Sequence, residues 1–316
     1  MQAHKMRTAF HITLIACLVL ASQLVRAGDL VLKPIQVAPN VYAVIGDLGP
    51  QSPENDGLNN NLGFIVGTDG VLVINTGPTT RVAQALHQAI GKVTQQPIKW
   101  VLNVNSQNHY WLGNDYFKQK GIPILAHTEA ARLMRDLGAG QLQATQTLLK
   151  DKAAGTALAL PTETIATKRD LLVGKTRVQL LHFGPAHTAG DLVVWLPEQK
   201  VMFTGDIVFT QRILGVIPIG NSGGWVKAFD QAMALKPRII VPGHGKPTDI
   251  KTATSDTRNY LTHLRDGAQS ILTHGGSLQD AVEKVDQSKF KYLFNFDLLA
   301  RRNMSQVFTE MEQESF

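Results

Sequence analysis

Cysteine is all but missing: the 316-residue chain has one, Cys17. A lone thiol excludes an intramolecular disulfide and any multi-thiolate metal site. Charge is sparse as well, at 18% of residues, with 31 basic against 25 acidic side chains and a net charge of +6. So small an excess is no argument for nucleic acid as a partner. Internal repeats and low-complexity tracts are lacking, which excludes solenoids and fibres. No stretch reaches the roughly 20 apolar residues that a membrane-spanning helix needs. What is present, 44% hydrophobic residues over this length, is the composition of a globular protein able to bury a sizeable core.

The N-terminus carries Lys5 and Arg7 and no acid, then an apolar run from Ala9 to Ala21, then Val25 and Ala27 at the −3 and −1 positions of a cleavage site. That order reads as a secretory signal peptide over residues 1–27. Leu14-Ile15-Ala16-Cys17 offers lipoprotein processing as the lesser alternative, because the apolar run continues past Cys17. Cleavage after Ala27 removes Lys5, Arg7, Arg26 and Cys17, lowering the charge to +3 and leaving no thiol. The expectation is a periplasmic or secreted protein with no stable membrane insertion.

Beyond the leader, VYAV, NNLGFIVG and VLVINTG read as strands, the last two joined by Thr68-Asp69-Gly70. The Pro/Gly/Asn-rich segment 49–61 reads as a loop, either a flap over a site or a plain connector. Val82, Leu86 and Ile90 share one face of a helix. IKWVLNV and IPILAH are further strands, and Thr128 is the expected N-cap of the helix that follows. Residues 136–165 suggest a helix and an insertion. TRVQLLHF, DLVVWL, KVMFTG and RIIVPG are strands, GWVKAFDQAMAL a helix, and the chain is helical from 251 onward. This order predicts an α/β fold of two packed sheets with helices outside. Four strands end in loops carrying His or Asp, and such endings meeting at one edge would build a site.

Three strings carry chemistry. His187 stands in Gly184-Pro185-Ala186-His187-Thr188-Ala189-Gly190-Asp191, Asp206 in Phe203-Thr204-Gly205-Asp206, and His244 in Pro242-Gly243-His244-Gly245. Glycine beside each polar side chain permits the sharp turns that bring ligands together. In these strings, over roughly residues 38 to 250, the chain resembles the metallo-β-lactamase superfamily. The helical tail is most similar to its SoxH-like group, which includes the quinoprotein relay system hydrolases. The resemblance implies a four-layer αββα sandwich over residues 28–250, with a helical extension over 251–316.

The resemblance also exposes departures. Family members carry THxHxDH followed, two residues on, by Gly-Asn. Alignment on Asn103 and Gly113-Asn114 puts Asn105, Gln107, His109 and Tyr110 where the family has its His, His, Asp and His. Asn75 likewise stands where Asp is usual. By resemblance the first metal would meet Asn105, Gln107 and His187, and carboxamides serve zinc poorly. The second would meet His109, Asp206 and His244, a legitimate catalytic set with a position left for water. The expectation is one divalent metal, zinc first and iron as the alternative, with His109, His187, Asp206 and His244 as ligands. His109 and Asp206 would be the catalytic residues of a hydrolase of esters, thioesters, lactones, phosphoesters or β-lactams. Asn105, Gln107, Tyr110 and Asp191 would touch substrate or support the ligands. The alternative is a catalytically impaired binding protein of a periplasmic system, since the family's proton-managing Asp has become His109. His127 and His182 read as structural, His87, His263 and His274 as helix surface residues, and Trp111 and Trp225 as buried rather than pocket-lining.

Overall fold

β-Branched and apolar runs between glycine-bearing turns form most of the strands. The computed structural model describes residues 30–315, so the leader and Cys17 lie outside the described residues. Strands β1 (Ile35–Ala38), β2 (Val41–Val44), β3 (Leu62–Val66) and β4 (Val71–Ile74) form an antiparallel meander. The β3–β4 turn is closed by Gly67 N–H on Gly70 O at 2.8 Å. Helix α1 (Thr80–Val93) crosses to β5 (Ile98–Asn103), parallel to β4; Thr79 caps it, and Val82, Leu86 and Ile90 are buried as their spacing predicts. After the short α2 (Asn108–Trp111) and α3 (Asn114–Lys118) come β6 (Ile124–His127), α4 (Thr128–Leu149) and β7 (Glu163–Ile165). The N-cap of α4 is His127, which accepts from Glu129 N–H; the expected cap, Thr128, is the first helical residue.

The second sheet comprises β8 (Lys168–Val173), β9 (Thr176–Leu181), β10 (Val193–Leu196), β11 (Val201–Phe209) and β12 (Ile239–His244), in the order β12-β11-β10-β9-β8. Its pairs are antiparallel except β11 with β12. Helix α5 (Ser222–Ala234) makes the β11–β12 crossover. Then follow α6 (Ile250–Ala253), a π-helical turn, α7 (Asn259–Thr273), α8 (Leu278–Lys284) and α9 (Phe296–Glu314).

Three apolar layers hold this together. Ile65, Leu72 and Leu102 of the first sheet meet Val178, Leu180 and Phe203 of the second. Phe64, Val73, Leu86 and Ile90 fill the outer face of the first sheet under α1. Trp225, Phe229, Tyr260, Val307 and Phe308 fill the outer face of the second. The expected αββα layering is therefore present. The C-terminal helices pack on the second sheet in one core with α5. No helix among the described residues is long and apolar enough to cross a membrane.

Candidate metal centre

The carboxyl ends of β5, β11 and β12 meet at one edge. Past β5 the chain turns sharply on a buried asparagine pair. Asn103 Nδ2 donates to Asn114 Oδ1 at 3.0 Å, Asn114 Nδ2 returns a bond to Asn103 Oδ1 at 2.8 Å, and Thr76 Oγ1 donates to Asn114 Oδ1 at 3.0 Å. This turn sends His109 and Tyr110 inward, where both are buried. Asp206 and His244 lie within β11 and β12 rather than beyond them. Irregular pairing between those strands, with Gly205 at φ 51°, brings the two side chains together.

His109, Asp206 and His244 offer three ligand atoms within 4.8 Å of one another. Their protonation is fixed by neighbours. His109 Nδ1 lies 3.0 Å from Asn108 Oδ1, and His244 Nδ1 lies 2.5 Å from the backbone oxygen of Asn59. A carbonyl oxygen only accepts, so each Nδ1 carries the proton. Burial holds both rings neutral, His109 at about 3 and His244 below its ordinary value. Each Nε2 therefore presents a lone pair. His244 Nε2 stands 3.2 Å from Asp206 Oδ1, while His109 Nε2 and Asp206 Oδ2 have no hydrogen-bond partner. Burial pushes the Asp206 carboxyl up, but the charge that His187 and His244 carry once protonated in acid pulls it down further, so it is ionised near neutral pH. Two lone pairs facing a carboxylate in a buried site repel unless a cation lies among them, and imidazoles anchored through Nδ1–H are the usual metal-ready form. The residues present fit a divalent ion.

The other expected residues sort themselves around this group. His187 stands beside it: its Nε2 is 2.8 Å from Gln107 Oε1 and 3.5 Å from Asp206 Oδ2, and burial lowers it to about 4. Gln107 thus closes on His187, where the family's first metal would sit. Asn105 turns away, donating from Nδ2 to Asp191 Oδ1 at 2.7 Å and accepting Gln107 N–H at 2.8 Å. Asp191 also accepts the N–H and hydroxyl of Thr188, both at 2.7 Å, while burial raises its carboxyl to about 7. Tyr110 donates its hydroxyl to Asp206 Oδ1 at 2.5 Å, and burial raises it far above the phenol range, so it is a donor and no phenolate ligand.

Sequence reasoning missed Arg212, Asn59, Asn61 and Asn108. Arg212 is buried, with Nη1 donating to Gly49 O at 3.3 Å beside His244. Asn61 latches β12, its Nδ2 donating to Pro242 O at 2.9 Å and Gly245 O at 2.7 Å. Elsewhere the readings of His127, His182, Trp111 and Trp225 stand: the two histidines stack at 3.9 Å, and both tryptophans are buried with their indole N–H groups bonded. His87, expected on a helix surface, is half-buried and meets the Tyr116 hydroxyl at 3.0 Å. The 49–61 loop is pinned, with Lys152 Nζ on Pro53 O at 2.6 Å and Arg81 on Asp56 at 2.9 Å, which favours the connector over the flap.

Two outcomes follow from these contacts. Asn75, where the family usually has Asp, donates Nδ2 to Asn61 O at 3.2 Å and accepts Val104 N–H at 3.0 Å. Asn75→Asp sets a carboxylate against that carbonyl and should cost about 1–3 kcal/mol in denaturant unfolding. An unchanged midpoint would show that the donor role is immaterial.

The second outcome concerns pH. His109, His187 and His244 have depressed values in the fold. The unfolded chain therefore binds more protons below about 6.5, and stability is lost as pH falls from there toward 4. Asp191, raised to about 7, acts oppositely: its contribution is present at low pH and lost as pH rises from about 4 to 7. Three imidazoles outweigh one carboxyl, so the metal-free protein should unfold at lower urea at about pH 5 than at about pH 7.5. The reverse order would mean that the imidazoles are charged in the fold.

A two-sheet sandwich with helices outside and a His/Asp metal group at its edge is the architecture of the metallo-beta-lactamase superfamily. The superfamily's model matches residues 55–244, and the chain belongs to that superfamily. It is 24% identical over 221 residues to metallo-beta-lactamase IND-1 of Chryseobacterium indologenes, covering 68% of this chain and 82% of that one. It is 23% identical over 183 residues to the 2,4-dinitroanisole O-demethylase subunit alpha of Nocardioides sp. (strain JS1661), covering 57% of this chain. The chain spans only 51% of that subunit's length. Among solved structures, a metallo-beta-lactamase from Pontibacter korlensis matches with TM-score 0.61 and 20% identity over 73% of this chain and 99% of that one. The sec-alkylsulfatase Pisa1 from Pseudomonas sp. matches with TM-score 0.69 and 17% identity over 88% of this chain and 50% of that one. At such identities the structural likeness speaks for the fold alone.

Proposed function

We propose that this protein is a secreted hydrolase that works with one divalent cation, held by His109 Nε2, Asp206 and His244 Nε2. One observation carries the reading: the two Nε2 lone pairs and the ionised Asp206 converge in a buried site, with neither His109 Nε2 nor Asp206 Oδ2 engaged in a hydrogen bond. When bound, the ion supplies Lewis acidity, which polarises the oxygen of an ester-like substrate and acidifies water. The chain's own residues prepare the site. Asn108 and Asn59 orient the imidazoles, and Tyr110 occupies Oδ1 of Asp206 and leaves Oδ2 without a hydrogen bond. Gln107, bonded to His187, blocks a second ion.

The substrate is a small molecule with an ester, thioester, lactone, phosphoester or β-lactam bond. The superfamily supports this range, and fold does not narrow it. Secretion rests on the sequence of residues 1–27, and the SoxH-like affiliation on the helical tail. One observation favours the second reading, a non-catalytic binding protein: His109 takes the place of the family's proton-managing Asp, and Asp206 Oδ1 is already committed to Tyr110. Metal-loaded protein tested on a probe of each bond class distinguishes the two. The hydrolase reading expects turnover of at least one class, lost with a chelator and restored by zinc. Metal-loaded protein inert on all five supports the binding protein.

A further inference from the structure

The expected supports of a metal group lie within a residue or two of its ligands. Here the hydrogen bonds lead further, into the C-terminal extension. Both ligand imidazoles are oriented from one loop, residues 46–61. The loop reaches His244 through Asn59 O on Nδ1 at 2.5 Å. It reaches His109 through Gln51, whose Oε1 accepts from Asn108 Nδ2 at 3.0 Å while Asn108 Oδ1 accepts from His109 Nδ1 at 3.0 Å.

That loop is in turn tied to a segment almost 250 residues away. Asn295 Nδ2 donates to Leu48 O at 3.1 Å. Beside it, Phe294 exchanges backbone bonds with the chain around Arg212: Phe294 N–H on Gln211 O at 2.9 Å and Ile213 N–H on Phe294 O at 2.9 Å. Arg212 then projects inward, and its Nη1 donates to Gly49 O at 3.3 Å, the oxygen that also accepts from Asn59 Nδ2 at 3.3 Å. Leu48 is therefore held by the C-terminal segment and Gly49 by Arg212. Asn295 itself sits at φ 63°, a left-handed backbone that asparagine and glycine tolerate best. Its side chain is half-buried and spends its amide on the loop rather than on capping α9.

We infer that Asn295 is a positioning residue for the metal centre, acting through the 46–61 loop to keep His109 and His244 in the Nδ1–H form that ligates. This deepens the preceding proposal and rests on its ion. The extension is thereby part of the site's support as well as of the helical layer that it forms with α5 on the second sheet. Outer hydrogen-bond partners of ligand imidazoles typically change metal affinity about 10–100-fold, and a contact one step further out should act more weakly.

The test compares wild type, Asn295→Gly and Gln51→Ala as full chains. Asn295→Gly keeps the left-handed backbone and removes only the amide; Gln51→Ala breaks the relay from the loop side, should the first variant fold poorly. Apparent zinc affinity is read by chelator competition, and Co2+ absorption reports the coordination geometry. The expected result is a threefold to tenfold loss of affinity in Asn295→Gly and a larger loss, about tenfold or more, in Gln51→Ala, each with an altered Co2+ spectrum. Wild-type affinity and spectrum in folded Asn295→Gly or, should that variant not fold, in Gln51→Ala would overturn the inference while leaving the metal reading intact. No zinc or Co2+ binding by wild type would overturn the metal reading, and the inference with it.

Discussion

Asp206→Asn should yield a folded protein that retains no divalent cation and has lost hydrolysis by at least about a thousandfold, some 4 kcal/mol of transition-state stabilisation. The substitution keeps the shape of the side chain and the acceptor for the Tyr110 hydroxyl. It removes the one anionic member of the His109, Asp206, His244 group. Two neutral imidazoles and a carboxamide oxygen do not compensate a dication withdrawn from water. Elemental analysis after dialysis, beside circular dichroism, checks the outcome. Metal retained at the wild-type level would place the cation elsewhere.

Gly243→Ala should be the most damaging single methyl in the site. A Cβ there would stand 2.6 Å from the Tyr110 hydroxyl, 2.6 Å from the backbone carbon of Gly205, and hard against Asp206 Oδ1. Neither backbone can retreat easily: Gly243 O accepts Asn61 N–H at 2.7 Å, and Gly205 pairs across to Pro242. Overpacking of this kind costs about 1–3 kcal/mol or more. Because the displaced atoms belong to Asp206 and its Tyr110 partner, zinc affinity should fall along with stability, by about tenfold or more. Urea unfolding and chelator competition on one preparation check both. Wild-type values in both would mean that the edge between β11 and β12 is looser than its packing indicates.

Much of this architecture can be read from residue order, and the parts that cannot share a physical cause. The β3–β4 hairpin, α1 and β10–β11 announce themselves because burial on defined faces forces apolar periodicity and tight turns require Gly or Asp. Strand β8, Lys168–Val173, goes unread because half its residues are exposed, including Leu172, and its identity rests on backbone pairing with β9. Strand β7 is only three residues long and is defined by its pairing with β6. Asp206 and His244 are legible because they need glycine neighbours to reach one point. His109 stands in one of the four segments read as loops after strand ends, but its part in a ligand set became legible only through the resemblance. Asn59 leaves no mark, since it acts on His244 through a backbone oxygen that any residue would supply. Arg212 and Asn295 lie in irregular segments and act across great sequence distance, which no local pattern encodes.

The most direct measurement is the metal content of purified wild-type protein after zinc supplementation and dialysis, taken beside His109→Ala and His244→Ala. The site described here predicts about one equivalent in wild type and close to none in either variant. Two equivalents in wild type, or one that survives both substitutions, would contradict it.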